Sequence, residues 1–381
     1  MELCGIDADT PDPDGGQIVR DGDGNPIGVF RETASGLLGA AHARARRPDP
    51  RLQADMAQAE CLAKGVTSFQ DAGSSFRQAQ LFRQMADEGA LHVRLWVMLR
   101  EANDRLERQL PQARLVDHAD HHLTVRAIKR SLDGALGSHG AWLLEPYADL
   151  PGSEGLNTLP LDDLARTAEL ALEHDVQLCV HAIGDRANRE VLDLYERAWK
   201  ARDIDGSTLR WRIEHAQHLH PDDVPRFGAL GVIASMQGVH CTSDAPWVYA
   251  RLGSARAGSG AYMWRDLLNS GALVINGTDA PVEDVDPIAS FYATVARRLP
   301  DDSVFFPRQR LTRLEALRSY TLSAAEAAFE EEHKGSLSLG KLGDVVVLSR
   351  DILDCPEDQI PGARVLYTIV GGEVLYDAGD R

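Results

Sequence analysis

The chain has 381 residues, 44% hydrophobic and 26% charged, with a formal net charge of -18. That length suits one barrel of about 250 residues with an appendage better than a string of small domains, and the surplus of carboxylates excludes nucleic acid, whose phosphates would be repelled. Cys4, Cys61, Cys179, Cys241 and Cys355 stand singly with no CxxC spacing, so they read as reduced thiols of a cytoplasmic protein. No apolar run approaches the ~18 residues of a membrane span, and the start MELCGIDADT has none of the marks of a signal peptide.

The first fifty residues are dense in Asp, Gly and Pro, with DG and GN turns flanking QIV and IGVF. They predict a hairpin on long loops rather than a barrel strand. A helical period begins at Leu52, with Leu52, Met56, Ala59 and Leu62 on one face and Gly65 as its stop. Strands are then expected near Val66 to Gln70, Val93 to Met98, Thr124 to Lys129, Val176 to His181, Leu209 to His215, Val232 to Gln237 and Ala272 to Thr278, with helices including Leu161 to His174 and Asn188 to Lys200. Alternation of this kind makes an α/β barrel of the TIM (β/α)8 type. The seven strands are one short of closure, which would leave unpaired edges. Either the eighth is hidden in the amino-terminal stretch or it has been lost. LTRLEALRSYTLSAAEAAF predicts a helical pair, and GDVVVLSRD with ARVLYTIVGGEVLYD a small β appendage turning at Gly371 and Gly372. The expected organisation is an amino-terminal loop and hairpin segment (1–50), a barrel (51–330) and a β appendage (331–381).

Three apolar runs end on residues that bind metals or carry protons. VQLCVHAIGD reaches His181, LRWRIEHAQ reaches His215, and GALVINGTDAPVE delivers Asp279 to a barrel mouth. Lys129 ends TVRAIK; a buried lysine tends to lose its proton, and a neutral amine can take up carbon dioxide as a carbamate able to bridge two divalent ions. An ion pair of Lys129 with Asp279 is the plainer alternative. Together the four supply donors that zinc, iron or manganese accept. Asp71, in FQDAG, could touch the site or serve as a structural hydrogen-bonding group, and Glu283 is a loop carboxylate just past Asp279. His218 and His220 form an HxH in a loop expected to be solvated, and His121 and His122 are expected at the surface. The chain shows neither a dinucleotide-binding loop nor a serine-hydrolase elbow, since neither GxGxxG nor GxSxG occurs.

The strings IKRSLDGALGS, VHAIGDRA, RIEHAQ, GVIASMQGVH, NGTDAPVE and KGSLSLGKLGDVVVL resemble the metal-dependent amidohydrolase superfamily, in its amidohydrolase-3 branch of YtcJ-like hydrolases, from about Gly5 to Tyr376. The resemblance implies hydrolysis of an amide or N-acyl bond in a small molecule, with Lys129 as the carboxylated lysine, His181 and His215 as metal ligands and Asp279 as metal-linked general base. It also implies substrate contacts from His240 and a divalent cofactor, zinc above all, with residues 331–381 as part of a composite β-sandwich. The resembled family carries an HxH on its first barrel strand. This chain starts beyond that point, so the expectation is an amino-terminally truncated barrel holding at most one ion, weakly, and marginally soluble alone. An upstream strand with HxH would restore activity if the start is misassigned. The alternatives are a one-metal hydrolase using His181, His215 and Lys129, and an inactive barrel serving as a scaffold or homo-oligomer.

Overall fold

Seven parallel strands carry the fold in a computed structural model that describes residues 1–39 and 49–379; residues 40–48 of the expected amino-terminal segment and 380–381 at the other end lie outside the described residues. An antiparallel hairpin of β1 (Gly16–Arg20) and β2 (Pro26–Glu32) comes first. The central sheet follows with β3 (Ser68–Ser74), β4 (Arg94–Leu99), β5 (Leu115–Asp117), β6 (Leu123–Ser131), β7 (Gln177–Ala182), β8 (Arg212–His215), β9 (Ile233–Gln237) and β10 (Val274–Gly277). Its hydrogen-bonded order is β10-β9-β8-β7-β6-β4-β3, all parallel, and β5 adds a short antiparallel pair to β6 that sequence periodicity does not reveal.

The parallel strands are legible as apolar runs because the sheet is covered on one side by helices and on the other by its own curl. Inward positions follow the period of two. Trp96 and Met98 of β4, Ala127 of β6 and Cys179 of β7 meet Ala328 in one inner layer. Gln70 of β3 and Arg212 of β8, with three strands between them in the sheet order, touch across the interior, so the sheet curls into a half-barrel. The Arg212 guanidinium is fully buried, lies over the Trp96 ring and donates to the Ala327 carbonyl at 2.8 Å. The expected helical pair (Arg313–Tyr320 and Leu322–Ala327) thus ends inside the half-barrel and caps polar groups there.

Helix Pro50–Ala63 forms where expected, with Asp49 accepting from the Arg51 and Leu52 amides at its start. Its buried face differs from the expected one. Leu52 and Met56 are exposed, while Gln58, Cys61 and Leu62 face inward. Gln58 reaches the loop before β4, taking the Val93 amide and donating to the Ala90 carbonyl, each at 3.3 Å. A polar residue therefore occupies the inward face that apolar spacing alone gave to Leu52 and Met56.

The carboxy-terminal appendage is a three-stranded antiparallel sheet of β11 (Val345–Leu348), β12 (Val365–Val370) and β13 (Glu373–Asp377). Gly371 and Gly372 make the tight turn with φ of 60° and 84°, values that favour glycine. Thr368 ties this sheet to helix Pro50–Ala63 through a 2.6 Å bond to the Leu62 carbonyl.

Candidate functional site

Lys129, His181, His215, His240, Asp279 and Glu283 all line one cavity of about 830 Å³ at the carboxyl ends of the strands. The inward parity of β6 carries Lys129, two residues before that strand ends, and β7 carries His181 one residue before its end. His215 is the last residue of β8 and Asp279 stands two beyond β10. Both adopt left-handed backbone, with φ of 76° and 59°. Non-glycine residues held there cost on the order of 1–3 kcal/mol each and gather at functional sites.

The rings of His181 and His215 meet edge to face with centroids 4.4 Å apart, and His215 stacks on His240 at 5.9 Å. His240 Nε2 lies 3.8 Å from Asp279 Oδ2. His215, His240 and Asp279 each offer a ligand atom within 4.8 Å of one another, so geometry groups His240 with the donors. Gln237 holds the His215 ring through a 2.6 Å contact at Nδ1, which leaves the other ring nitrogen for the cavity. Nε2 of His181 and of His240 are buried with no hydrogen-bond partner among the described residues. Such orphaned donors fit a divalent ion, which takes neutral imidazoles.

Burial sets the charge states. It lowers the pKa of Lys129 below the ordinary lysine value and that of His181 and His215 well below the ordinary imidazole value, with the neighbouring cationic groups acting in the same direction on the histidines. Asp279 is raised, chiefly by burial, against the attraction of His240 and Lys129.

Three carboxylates that sequence spacing did not single out also shape the site. Glu214, two residues from Arg212, shares its inner face and lines the cavity with one carboxylate oxygen unpartnered among the described residues. Asp133 is fully buried 3.4 Å from His181 Nε2 and accepts from the amides of Trp142, Ile183 and Gly184 at 2.9, 3.0 and 2.7 Å. Burial pushes its carboxyl up to about 7 even so. Glu32 arrives from the amino-terminal hairpin, and a Cβ on Gly134 would fall 1.9 Å from its carboxyl carbon.

Asp71 does not line the cavity; its carboxylate accepts from the Gly73 amide and the Ser74 hydroxyl at 2.9 and 3.1 Å, the structural alternative. Glu283 sits half-exposed on the rim. Gly238 is fixed by packing, since its amide donates to Asn276 Oδ1 at 2.9 Å and a Cβ would lie 2.1 Å from Thr294 Oγ1.

His218 overturns the expectation of a solvated HxH loop. Left-handed His215 and Ala216 fold the chain back, the His218 amide bonds the Ile183 carbonyl at 3.0 Å, and its ring packs on Tyr262 with 2% exposure. Of the two, His220 alone reaches solvent, as a partly exposed side chain. Burial pushes the His218 imidazole down to about 3 from the ordinary 6.5. The unfolded chain therefore binds the proton more tightly, so the stability His218 contributes is present above pH 6.5 and is lost as pH falls toward 3. His218→Leu should accordingly lose about 3 kcal/mol less than the parent between pH 8 and pH 4. Urea melts at the two pH values measure this, and equal losses in both proteins would show that the buried ring is not responsible.

No helix among the described residues is long and apolar enough to cross a membrane. A family model described as the amidohydrolase family (Amidohydro_3) matches residues 1–376. Protein LONG AFTER FAR-RED 3 of Arabidopsis thaliana is 34% identical across 99% of this chain and 66% of its own length. N-substituted formamide deformylase of Arthrobacter pascens is 27% identical, with 99% and 70% covered. The chain thus spans about two thirds of the length of these relatives. A metal-dependent hydrolase from Pyrococcus horikoshii OT3 superposes with a TM-score of 0.75 at 27% identity, covering 94% of this chain and 69% of that one. With this fold, these strand-end donors and a match over nearly its whole length, the chain belongs to the amidohydrolase family.

Proposed function

We propose that the chain is a metal-dependent hydrolase of non-peptide carbon-nitrogen bonds, cleaving an amide or N-acyl group of a small molecule. The observation that carries this is the convergence of Lys129, His181, His215, His240 and Asp279 on one cavity, with buried imidazole nitrogens left unpartnered among the described residues. Similarity to a formamide deformylase supports the bond class.

Lys129, His181, His215 and Asp279 would hold the ion, with His240 beside them. Zinc suits this donor set, and when bound it supplies Lewis acidity and a water whose pKa is brought to about 7. The lowered pKa of the two histidines keeps their lone pairs available. A neutral Lys129 amine can become a carbamate and so add an anionic ligand. Asp279 takes the proton of the attacking water and returns it to the leaving nitrogen, acting first as base and then as acid. His240 and Glu283 face the substrate. The unpaired cysteines suit a cytoplasmic setting, and the net charge of -18 suits a small-molecule substrate over a nucleic acid or an anionic membrane surface.

The test is a metal-depleted full chain reloaded with zinc and offered a panel of N-formyl and N-acyl amines. Amine release that requires the metal is expected. A chain that holds zinc in the barrel yet turns over none of the panel would leave the scaffold or homo-oligomer as the better reading.

A further inference from the structure

A second group of metal donors lies outside the catalytic cavity. Asp117 ends β5, His121 sits in the turn that leads into β6, and His333 belongs to the segment between helix Leu322–Ala327 and β11. Each offers one ligand atom within 4.8 Å of the others. His121 Nδ1 stands 3.0 Å from Asp117 Oδ1, and His333 Nε2 stands 4.0 Å from Asp117 Oδ2. The two imidazoles face each other with centroids 4.3 Å apart.

These distances are poorly explained by the side chains alone. His121 Nδ1 is a buried atom, and its approach to Asp117 lacks the angle of a hydrogen bond, so it has no such partner among the described residues. Two imidazoles and a carboxylate converging from three segments form the mixed nitrogen and oxygen set that zinc-like ions take, with a position left for water. The side chains are 35% (Asp117), 26% (His121) and 43% (His333) exposed, which gives an ion a path in while keeping the donors partly dry.

The surroundings hold the donors in place before any ion arrives. Asp117, Ala119, Asp120 and His121 all have left-handed backbone, with φ between 51° and 62°. The Arg94 guanidinium fixes that turn by donating to the Asp120 carbonyl at 2.8 Å. On the other side, the Leu342 amide bonds the His333 carbonyl at 2.8 Å and the His333 amide bonds the Glu330 carbonyl at 3.0 Å.

We propose that Asp117, His121 and His333 form a structural site for a zinc-class divalent cation, which clips the turn before β6 to the segment leading into the carboxy-terminal sheet. It is independent of the catalytic reading, because none of its donors lines the cavity.

The experiment uses the full chain, stripped with chelator and dialysed against Zn²⁺ alone, with bound metal counted by elemental analysis. The parent is expected to hold one equivalent more than His333→Ala and than Asp117→Asn, and to show a zinc-induced rise in melting temperature that both variants lose in part. Both residues are substantially exposed, so folding should survive either change. A direct readout comes from His333→Cys loaded with Co²⁺, where a thiolate-to-cobalt charge-transfer band should appear and vanish when His121→Ala is added. Unchanged zinc stoichiometry in His333→Ala, or no such band in His333→Cys, would overturn the proposal.

Discussion

An Asp279→Asn protein is expected to lose hydrolysis of N-acyl substrates by about 10³-fold in kcat while melting within a few degrees of the parent. The two effects separate because of where the residue sits. Its backbone is left-handed at φ 59°, a conformation asparagine adopts as readily as aspartate, so the turn past β10 should survive the change. The substitution also removes a carboxylate whose ionisation burial disfavours, so nothing charged is left unpaired by it. What disappears is basicity at the carboxylate that lies 3.8 Å from His240. In the parent, turnover should fall as pH drops and Asp279 takes up a proton, because the protonated form cannot accept the water's proton. Turnover measured from pH 4 to 8 beside thermal melts tests both statements. Undiminished turnover in Asp279→Asn would remove this residue from the chemistry and leave the family assignment intact.

The strands and their terminal residues were legible for one physical reason. A strand covered on both faces reads as an apolar run, so a polar residue at its carboxyl end is conspicuous, and Lys129, His181, His215 and Asp279 all stood out in this way. Glu214 carries a signal of another kind. A charged residue two positions from Arg212 in a four-residue buried strand must share its inward face. Asp133 and Glu32 gave no local signal, because one is defined by three amides brought from other loops and the other by a hairpin that folds back onto Gly134. His218 misled for the opposite reason. Its HxH spacing looks like a loop motif, whereas two left-handed residues at the end of β8, His215 and Ala216, turn it into the core. The same holds for helix Pro50–Ala63, where hydrogen-bonding demand at the start of β4 drew Gln58 inward and left Leu52 and Met56 outside.

A buried ion pair ties the barrel to its appendage, and breaking it from one side should cost the fold heavily. Arg94 opens β4 and is 1% exposed, and its guanidinium meets Asp344, 7% exposed, through two parallel contacts of 2.7 and 3.1 Å. Asp344 also accepts the Gly371 amide at 2.9 Å, so the same carboxylate fixes the β12–β13 turn. Arg94→Met would strand that carboxylate in a dry seam and free the Asp120 carbonyl as well. Removing one partner of a buried pair costs about 3–5 kcal/mol, because the remaining charge is left uncompensated. Replacing both partners is different in kind. An Arg94→Met, Asp344→Leu double variant leaves no buried charge, and it should recover most of the loss, falling short by roughly 1–2 kcal/mol for the unmet Gly371 amide and Asp120 carbonyl. Urea denaturation of the parent, the two single variants and the double variant closes the cycle. If Arg94→Met alone lost less than about 1 kcal/mol, the pair would be behaving as a solvated surface contact, and the appendage would be held by its other contacts, among them the Thr368 bond to the Leu62 carbonyl and the apolar cluster of Cys61, Leu62, Val93 and Val370.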